Sequence, residues 1–313
     1  MTEAIAKNAP KGGLGGSGGP GGAGKAKTNF YLALNFAILI FFGFICIYPL
    51  YYILVNSLSG ADAIFRGVYF FPVDFTTKYY KQLLDTPNIP NAIIISVSRT
   101  VLGTFITVTS STFLGYMFTQ QTLPFRKIIY RFVIVTMYFS AGLIPWYILM
   151  LNLGFKNNFL LYILPGAVSA YFTILSKTYI ESIPISVEES AKIDGAGVIT
   201  IFVRLIVPMS LPIIACLVVF CSVGQWNSWQ DNFYLVSKPN LSTLQYMLYM
   251  NMANATASIT QPTAESDLLR DKTVSAMGLR YSLSMLTVIP IICVYPFMQK
   301  YFIKGIMLGA VKG

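Results

Sequence analysis

Histidine is absent from the sequence. Cysteine is rare, with four residues that all lie in apolar stretches and form no C-x-x-C pair: Cys46, Cys216, Cys221 and Cys293. Without histidine, a histidine-ligated metal site, a Ser-His-Asp triad and a Cys-His dyad are excluded. The cysteine pattern also excludes a disulfide framework and favours free thiols that act as small apolar side chains. These absences predict that the chain is not an enzyme.

Charged residues are scarce as well. They make up 11% of the 313 residues, whereas 55% are hydrophobic. Soluble globular domains carry about 25% charged residues, and so few charges cannot cover a surface that faces water. The composition therefore predicts an all-α protein that crosses a membrane several times.

Six apolar stretches are long enough to cross a bilayer core, which requires about 20 residues of α-helix. These predicted spans are 30–56, 91–120, 128–151, 159–180, 205–226 and 282–302. With an even number of spans, both termini lie on one side. If that side is the cytoplasm, the inner segments carry thirteen basic and five acidic residues and the outer loops eight and seven. The excess of positive charge inside predicts cytoplasmic termini, so the net charge of +10 reports topology and not nucleic-acid binding.

Residues 1–29 are expected to form a flexible arm, because nine glycines fall between Gly12 and Gly24. Residues 30–313 are expected to form the transmembrane domain. Within the arm, Gly19 to Lys25 fits G-x-x-x-x-G-K, but Ala26 replaces the hydroxyl residue that would bind Mg²⁺. We interpret this match as accidental, so no ATP, Mg²⁺ or other cofactor is expected in this chain.

No aspartate or glutamate falls inside the six predicted spans, and Arg99 is the single deep charge. Coupled secondary transporters need ionisable groups or unwound helices near the midplane, so any active transport is expected to draw energy from another polypeptide. Three interpretations of Arg99 remain open: an interface anchor, a residue lining the path of a polar or anionic solute, or a partner for a charge on another subunit.

The segment 183–212 is the most informative part of the chain. Ser186 and Glu189 are spaced as a capping box, and Gly195 can supply a left-handed stop. Together they predict a short cytoplasmic helix over 187–194, in which the small residues Ser190 and Ala191 would let a partner approach closely. An ordinary amphipathic connector is the alternative. Further on, two prolines (Pro208 and Pro212) predict a kink at the start of the fifth span.

The same segment resembles the motif E-A-A-x3-G-x9-I-x-L-P of membrane subunits of ABC importers. The chain has Glu189-Ser190-Ala191, Gly195 and then Leu205 to Pro208 at the right spacing, with mild replacements at Ser190, Leu205 and Val207. The run 188–196 resembles MalG-like carbohydrate permeases. Residues 223–229 agree with this resemblance. The ending 295–313 is similar to the LplC/YtcP-like subgroup associated with oligosaccharide uptake. The resemblance covers about 30–313.

This resemblance implies an ABC type I importer permease fold of the MetI type, in a bacterial plasma membrane. It implies a heterodimer with a second permease, two ATPase subunits that bind ATP and Mg²⁺, an extracytoplasmic solute-binding lipoprotein and an oligosaccharide substrate. The helix 187–194 would be the coupling helix that docks on an ATPase. The coupling residues it implies are Glu188, Glu189, Ser190, Ala191, Asp194 and Gly195. The tail 304–313 either reaches the ATPase or is a disordered basic end.

Aromatic faces surrounded by amides and hydroxyls suit sugars, which makes several residues candidates for the substrate path: Arg99, Trp146, Tyr147, Trp226, Asn227 and Trp229. Tryptophan and tyrosine are also enriched at membrane interfaces, so an aromatic belt is the alternative. We expect the outer loops 57–90 and 230–277 to dock the binding protein, the first through Tyr69, Phe70, Phe71, Tyr79 and Tyr80.

Two other functions compete with oligosaccharide import. One is an ABC permease for another small polar solute, and the other is a stand-alone secondary transporter or channel. A membrane enzyme is disfavoured by the lack of histidine and of an acid pair in the membrane. The sequence does not name the sugar, although Arg99 hints at an acidic one.

Overall fold

The computed structural model describes residues 23–259 and 276–296, with side chains for 31–254 and 276–296. Most of the predicted arm, part of the second outer loop and the predicted tail 304–313 lie outside the described residues. Regular structure in the described part is helical: α1 (Ala23–Ser57), α2 (Ala61–Arg66), α3 (Lys78–Asp85), α4 (Ile89–Met117), α5 (Arg126–Tyr138), α6 (Leu143–Asn152), α7 (Ala170–Ile180), α8 (Ile185–Ile193), α9 (Val198–Ile201), α10 (Val207–Met209), α11 (Leu211–Asn227), α12 (Gln230–Leu235), α13 (Leu244–Ile259) and α14 (Ala276–Pro296).

The chain divides into two compact units, Met1–Tyr52 and Ile53–Gly313. In the first unit, the described side chains of α1 are almost all apolar and exposed, including Phe36, Ile40 and Phe44. The span Tyr31–Ser57 has a mean hydropathy of 2.4. An apolar helix with an outward-facing apolar surface is the arrangement expected in contact with lipid.

In the second unit, α4 is the central helix, and α7 and α11 pack along it. Small and hydroxyl side chains make these close contacts possible. At Gly115, a Cβ atom would lie 2.8 Å from the Ser176 Cβ and 2.9 Å from the Lys177 backbone nitrogen of α7. At Gly103, it would lie 2.8 Å from the Gln225 side chain of α11. The α4 surface is therefore shaped for two neighbouring helices.

Three described helices are long and apolar enough to cross a membrane: Tyr31–Ser57 within α1, α4, and α14. The first two confirm the predicted spans 30–56 and 91–120. The third shifts the predicted sixth span toward the N-terminus, to Ala276–Pro296, and residues 297–302 lie outside the described part.

The third and fifth predicted spans are bent pairs of helices. Residues 198–227 bend by 82° between α10 and α11, which confirms the kink expected from Pro208 and Pro212. The α5–α6 pair bends by 117°. It breaks at 139–142, just before Pro145, where Gly142 has a φ of +84°, a conformation that glycine adopts without steric cost.

A continuous helix over the fourth predicted span, 159–180, is wrong. A 3₁₀ turn covers Phe159–Tyr162, and α7 begins only at Ala170. The eleven residues of α7 span about 17 Å at 1.5 Å per residue, too short for a bilayer core of about 30 Å. Pro165 and Gly166 lie in the interruption, and both residue types disfavour an uninterrupted helix.

Candidate coupling helix and transmembrane cavities

The predicted helix after the fourth span exists as α8, Ile185–Ile193. The capping box predicted for Ser186 is wrong. The helix begins two residues earlier than predicted, with Pro184 at the N-cap position and no side-chain capping bond. Ser186 is therefore inside the first turn, where its backbone is already helical and its side chain cannot act as the cap.

The predicted left-handed stop at Gly195 is confirmed, with a φ of +81°. The amide of Ala196 donates to the Ala191 carbonyl at 3.0 Å, and the amide of Gly195 donates to the Lys192 carbonyl at 3.1 Å. These two bonds form a Schellman motif. A Cβ atom at Gly195 would meet no atom within 4 Å, so glycine is favoured by the backbone conformation and not by a lack of space.

One face of α8 is attached to the C-terminal end of α4. Ala191 packs against a buried cluster that includes Tyr116 of α4 and Phe202. The Lys192 Nζ lies 2.7 Å from the Glu188 carboxylate and 3.3 Å from the Gln120 Oε1 just beyond α4. Apolar packing of Ala191 and the polar contacts of Lys192 thus connect α8 with α4, the central helix of the unit.

The opposite face of α8 is open. Ile193 is 85% exposed and Ile185 is 62% exposed, and Glu189, Ser190 and Asp194 are also exposed. Of the small pair expected to face a partner, only Ser190 points outward, because Ala191 is used in packing within the chain. Exposed isoleucines beside acidic groups are suited to bind a protein surface.

Arg99 is buried at 4% exposure and makes all its described polar contacts within the chain. Its Nη1 donates to the Asp231 Oδ1 at 3.0 Å, and its Nη2 lies 2.5 Å from the Asp231 Oδ2. The Nε donates to the Gln225 Oε1 at 3.1 Å, and Nη1 also donates to the Ser228 carbonyl at 3.2 Å. The guanidinium carbon lies 4.7 Å from the centre of the Tyr162 ring.

The pairing with Asp231 was not among the three interpretations of Arg99. Asp231 lies 132 residues further along the chain, in α12, which follows the fifth predicted span. Because Asp231 lies outside the six predicted spans, the lack of acidic residues within the spans did not indicate the charge that neutralises Arg99. Because the pair has no net charge, the hint of an acidic sugar from Arg99 loses its electrostatic basis.

Each member of this ion pair lines a cavity. The larger, about 780 Å³, lies at the α5–α6 bend and the start of α12 and includes Asp231 and Ser228 in its wall. The smaller, about 280 Å³, lies against α4 and α11 and includes Arg99 and Ser228. Asp231 thus lines the larger space, Arg99 lines the smaller one, and Ser228 lines both.

The structure separates the aromatic candidates for the substrate path. Trp146 lines the larger cavity, whereas Tyr147 packs against the cluster around Met150 and is not in that wall. Asn227 is exposed at the end of α11. Of these three residues, Trp146 lines the same cavity as Asp231, the partner of Arg99.

The other two tryptophans make contacts within the chain. Trp226 is 9% exposed, and its Nε1 donates to the Thr287 carbonyl of α14 at 3.0 Å. Trp229 stacks on Tyr249 at 3.7 Å between ring centres. The packing of Trp226 leaves its indole nitrogen unavailable to a ligand.

In the predicted first outer loop, the aromatic residues do not share one surface. Phe70 and Phe71 are 62% and 77% exposed. Tyr79 is buried, and burial together with the nearby Asp62 carboxylate raises the pKa of its phenol. Tyr79 is therefore not available for the docking role expected of all five aromatics.

The sequence profile of the family described as "Binding-protein-dependent transport system inner membrane component" matches residues 107–308. The chain belongs to this family. It is an inner membrane component that crosses the membrane several times, and it is a transport subunit and not an enzyme. The MetI-type resemblance is thereby confirmed.

Two relatives from one organism resemble the chain over most of its length. The chain is 32% identical to the protein LplC of Bacillus subtilis (strain 168), over 87% of this chain and 91% of LplC. It is 29% identical to the polygalacturonan/rhamnogalacturonan transport system permease protein YtcP of the same organism, over 92% of this chain and 100% of YtcP. The LplC/YtcP-like subgroup expected from the C-terminal residues is confirmed.

A crystal structure of a bacterial ABC transporter involved in the import of the acidic polysaccharide alginate contains a chain with the same fold. That chain aligns with a TM-score of 0.78 and 26% identity, over 88% of this chain and 98% of that chain. The expected ABC importer permease fold is confirmed by this likeness.

Proposed function

We propose that this permease forms, with a second permease subunit, the membrane path of an importer whose energy comes from two separate ATPase subunits. The observation that carries the proposal is the two-sided character of α8. One face is attached to α4 through Ala191 and Lys192, and the other exposes Ile185 and Ile193. A movement of a partner bound to the exposed face would be passed to the central helix.

Within this proposal, Glu189, Ser190 and Asp194 contact the ATPase, and Glu188 holds α8 in place through Lys192. ATP and Mg²⁺ bind to the ATPase. Both chain termini lie in the cytoplasm, in agreement with the positive charge of the inner segments. The second outer loop and the exposed aromatics of the first outer loop dock a solute-binding lipoprotein.

The proposed substrate is an oligosaccharide delivered by that binding protein. The functions of three relatives support this class, since they are polygalacturonan/rhamnogalacturonan transport, melibiose/raffinose/stachyose import and arabinooligosaccharide transport. They cover acidic and neutral sugars, so they support the class without selecting a charge.

Affinity purification of the tagged chain from its native membrane tests the assembly. We expect one kind of ATPase, a second permease and a lipoprotein in the purified complex, and the glycan held by the lipoprotein identifies the substrate. A homo-oligomer alone would instead support a secondary transporter. A lipoprotein carrying a solute other than a glycan would replace the oligosaccharide by that solute.

A pair of variants tests α8 as the docking surface. Ile193→Asp places a charge in the exposed apolar patch and is expected to abolish capture of the ATPase while the second permease is retained. The matched control is Phe75→Asp, an exposed residue (69%) in the predicted outer loop, which is expected to retain the ATPase. Retention of the ATPase by Ile193→Asp would contradict the role of α8.

A further inference from the structure

The cavity at the α5–α6 bend has the features of a solute site within a membrane protein. The backbone of residues 139–142 is not helical, and this stretch and the start of α6 line the cavity. Irregular backbone at membrane depth is stable where it is buried in protein or lines a water-filled space. Broken transmembrane helices form the solute sites of many transporters. A volume of about 780 Å³ lies within the usual range for small-molecule pockets.

Two kinds of side chain line this cavity. Trp146, Phe139 and Tyr234 offer aromatic faces, and Gln230 and Asp231 offer hydrogen-bonding groups. The half-buried Trp146 packs against the hydrophobic cluster formed by α6 and the 3₁₀ turn. A fixed aromatic plane beside amide and carboxylate groups matches a sugar ring, which has apolar faces and hydroxyl edges.

The carboxylate of Asp231 is oriented by its contacts and keeps room for another donor. It accepts two hydrogen bonds from Arg99, and its Oδ1 accepts a third at 2.9 Å from the Asn232 amide. An ionised carboxylate has about four acceptor positions, so one remains on Oδ2. Because Arg99 neutralises the charge, this position suits a hydroxyl donor and does not need a charged sugar.

We propose that this cavity is a saccharide subsite on this subunit, in which a sugar ring stacks on Trp146 and donates a hydroxyl hydrogen bond to Asp231. The inference rests on the proposed function, since it requires that the importer carry an oligosaccharide. Arg99 is a positioning residue that acts through Asp231.

Equilibrium dialysis of radiolabelled sugar tests the subsite. The complete permease–ATPase complex is trapped with ATP and vanadate in nanodiscs without the binding protein, so that sugar can bind only to the membrane subunits. The probes are raffinose, which is neutral, and trigalacturonate, which is acidic. We expect the probe that is imported in the presence of the binding protein to bind, and Trp146→Ala to weaken its Kd about three- to tenfold.

Two further variants separate recognition from packing. Trp146→Phe keeps an aromatic plane and is expected to retain most of the affinity that Trp146→Ala loses. Phe159→Ala removes an aromatic ring from the same hydrophobic cluster but not from the cavity wall, and it is expected to weaken the Kd less than Trp146→Ala does. An equal loss of affinity in Phe159→Ala would show that packing, and not stacking, explains the effect.

The possible failures are distinguishable. If a probe is imported with the binding protein but its Kd is the same in the wild type and Trp146→Ala, the subsite is wrong and the proposed function stands. The same conclusion follows if an imported probe does not bind to the trapped complex. If neither probe is imported, the result counts against oligosaccharide import, and the subsite falls with it.

Discussion

Arg99 of α4 and Asp231 of α12 form a doubly hydrogen-bonded ion pair, with side-chain exposures of 4% and 14%. The same guanidinium also bonds to Gln225 and to the Ser228 carbonyl at the end of α11. One side chain of the central helix thus joins α11 and α12 beside both cavities. The geometry of the larger cavity depends on this contact, because Asp231 is part of its wall.

Asp231→Ala is expected to destabilise the protein by about 3–5 kcal/mol, since it leaves a buried guanidinium without its counter-charge. Replacing both partners, Arg99→Met with Asp231→Leu, is expected to recover most of this loss. Unfolding of the purified protein in detergent measures both effects. Glu181→Ala is the control, because it breaks the more exposed pair with Lys177 and is expected to cost about 0.3–0.5 kcal/mol. Equal effects of the two alanine variants would contradict the structural role of the buried pair.

Gly195→Val is expected to weaken ATPase coupling without preventing membrane insertion. A β-branched residue at a φ of +81° costs at least about 1–2 kcal/mol, so the Schellman stop of α8 is lost. Gly195→Asn is the matched control because asparagine tolerates the left-handed conformation. The measurement is substrate-stimulated ATPase activity of the complex, together with the amount of chain in the membrane. Normal stimulation in Gly195→Val would show that the end of α8 is not required for coupling.

Gly115→Leu is expected to disrupt the packing of α4 on α7, because even a Cβ atom would lie 2.9 Å from the Lys177 backbone nitrogen. Overpacking of this kind costs about 1–3 kcal/mol or more, and backbone atoms cannot move aside as a side chain can. Gly43→Leu is the control, since its Cβ would have no neighbour within 4 Å. Thermal unfolding compares the two, and similar melting temperatures would refute the close contact.

Trp226→Phe is expected to cost about 1 kcal/mol, because it removes the hydrogen bond from the indole nitrogen to the Thr287 carbonyl. The ring remains, so the cluster that joins α11 with α14 is kept. Trp229→Phe is the comparison, since stacking on Tyr249 can be preserved. Denaturant unfolding measures the difference. Unchanged stability in Trp226→Phe would show that the bond does not fasten α14.

Long apolar runs and local backbone chemistry were sufficient to predict part of the architecture from the sequence. The spans of α1 and α4 follow from runs that are apolar over the thickness of a bilayer. The stop after α8 follows from Gly195, because a left-handed residue is a local requirement that glycine meets best. Near the helix start, the same local reasoning chose the wrong residue, since the turn at Pro184 places Ser186 inside the helix.

By itself, the sequence determined the membrane class, the positions of the long apolar helices, the end of α8 and, through its motif spacing, the permease family. Tertiary structure alone decided that Asp231 neutralises Arg99, that Ala191 faces inward, and that the α5–α6 bend encloses a cavity with Trp146 in its wall. The physical reason is range. Helix formation and termination depend on residues within a few turns, whereas a buried charge pair or a cavity depends on helices that are distant in sequence and meet only when packed.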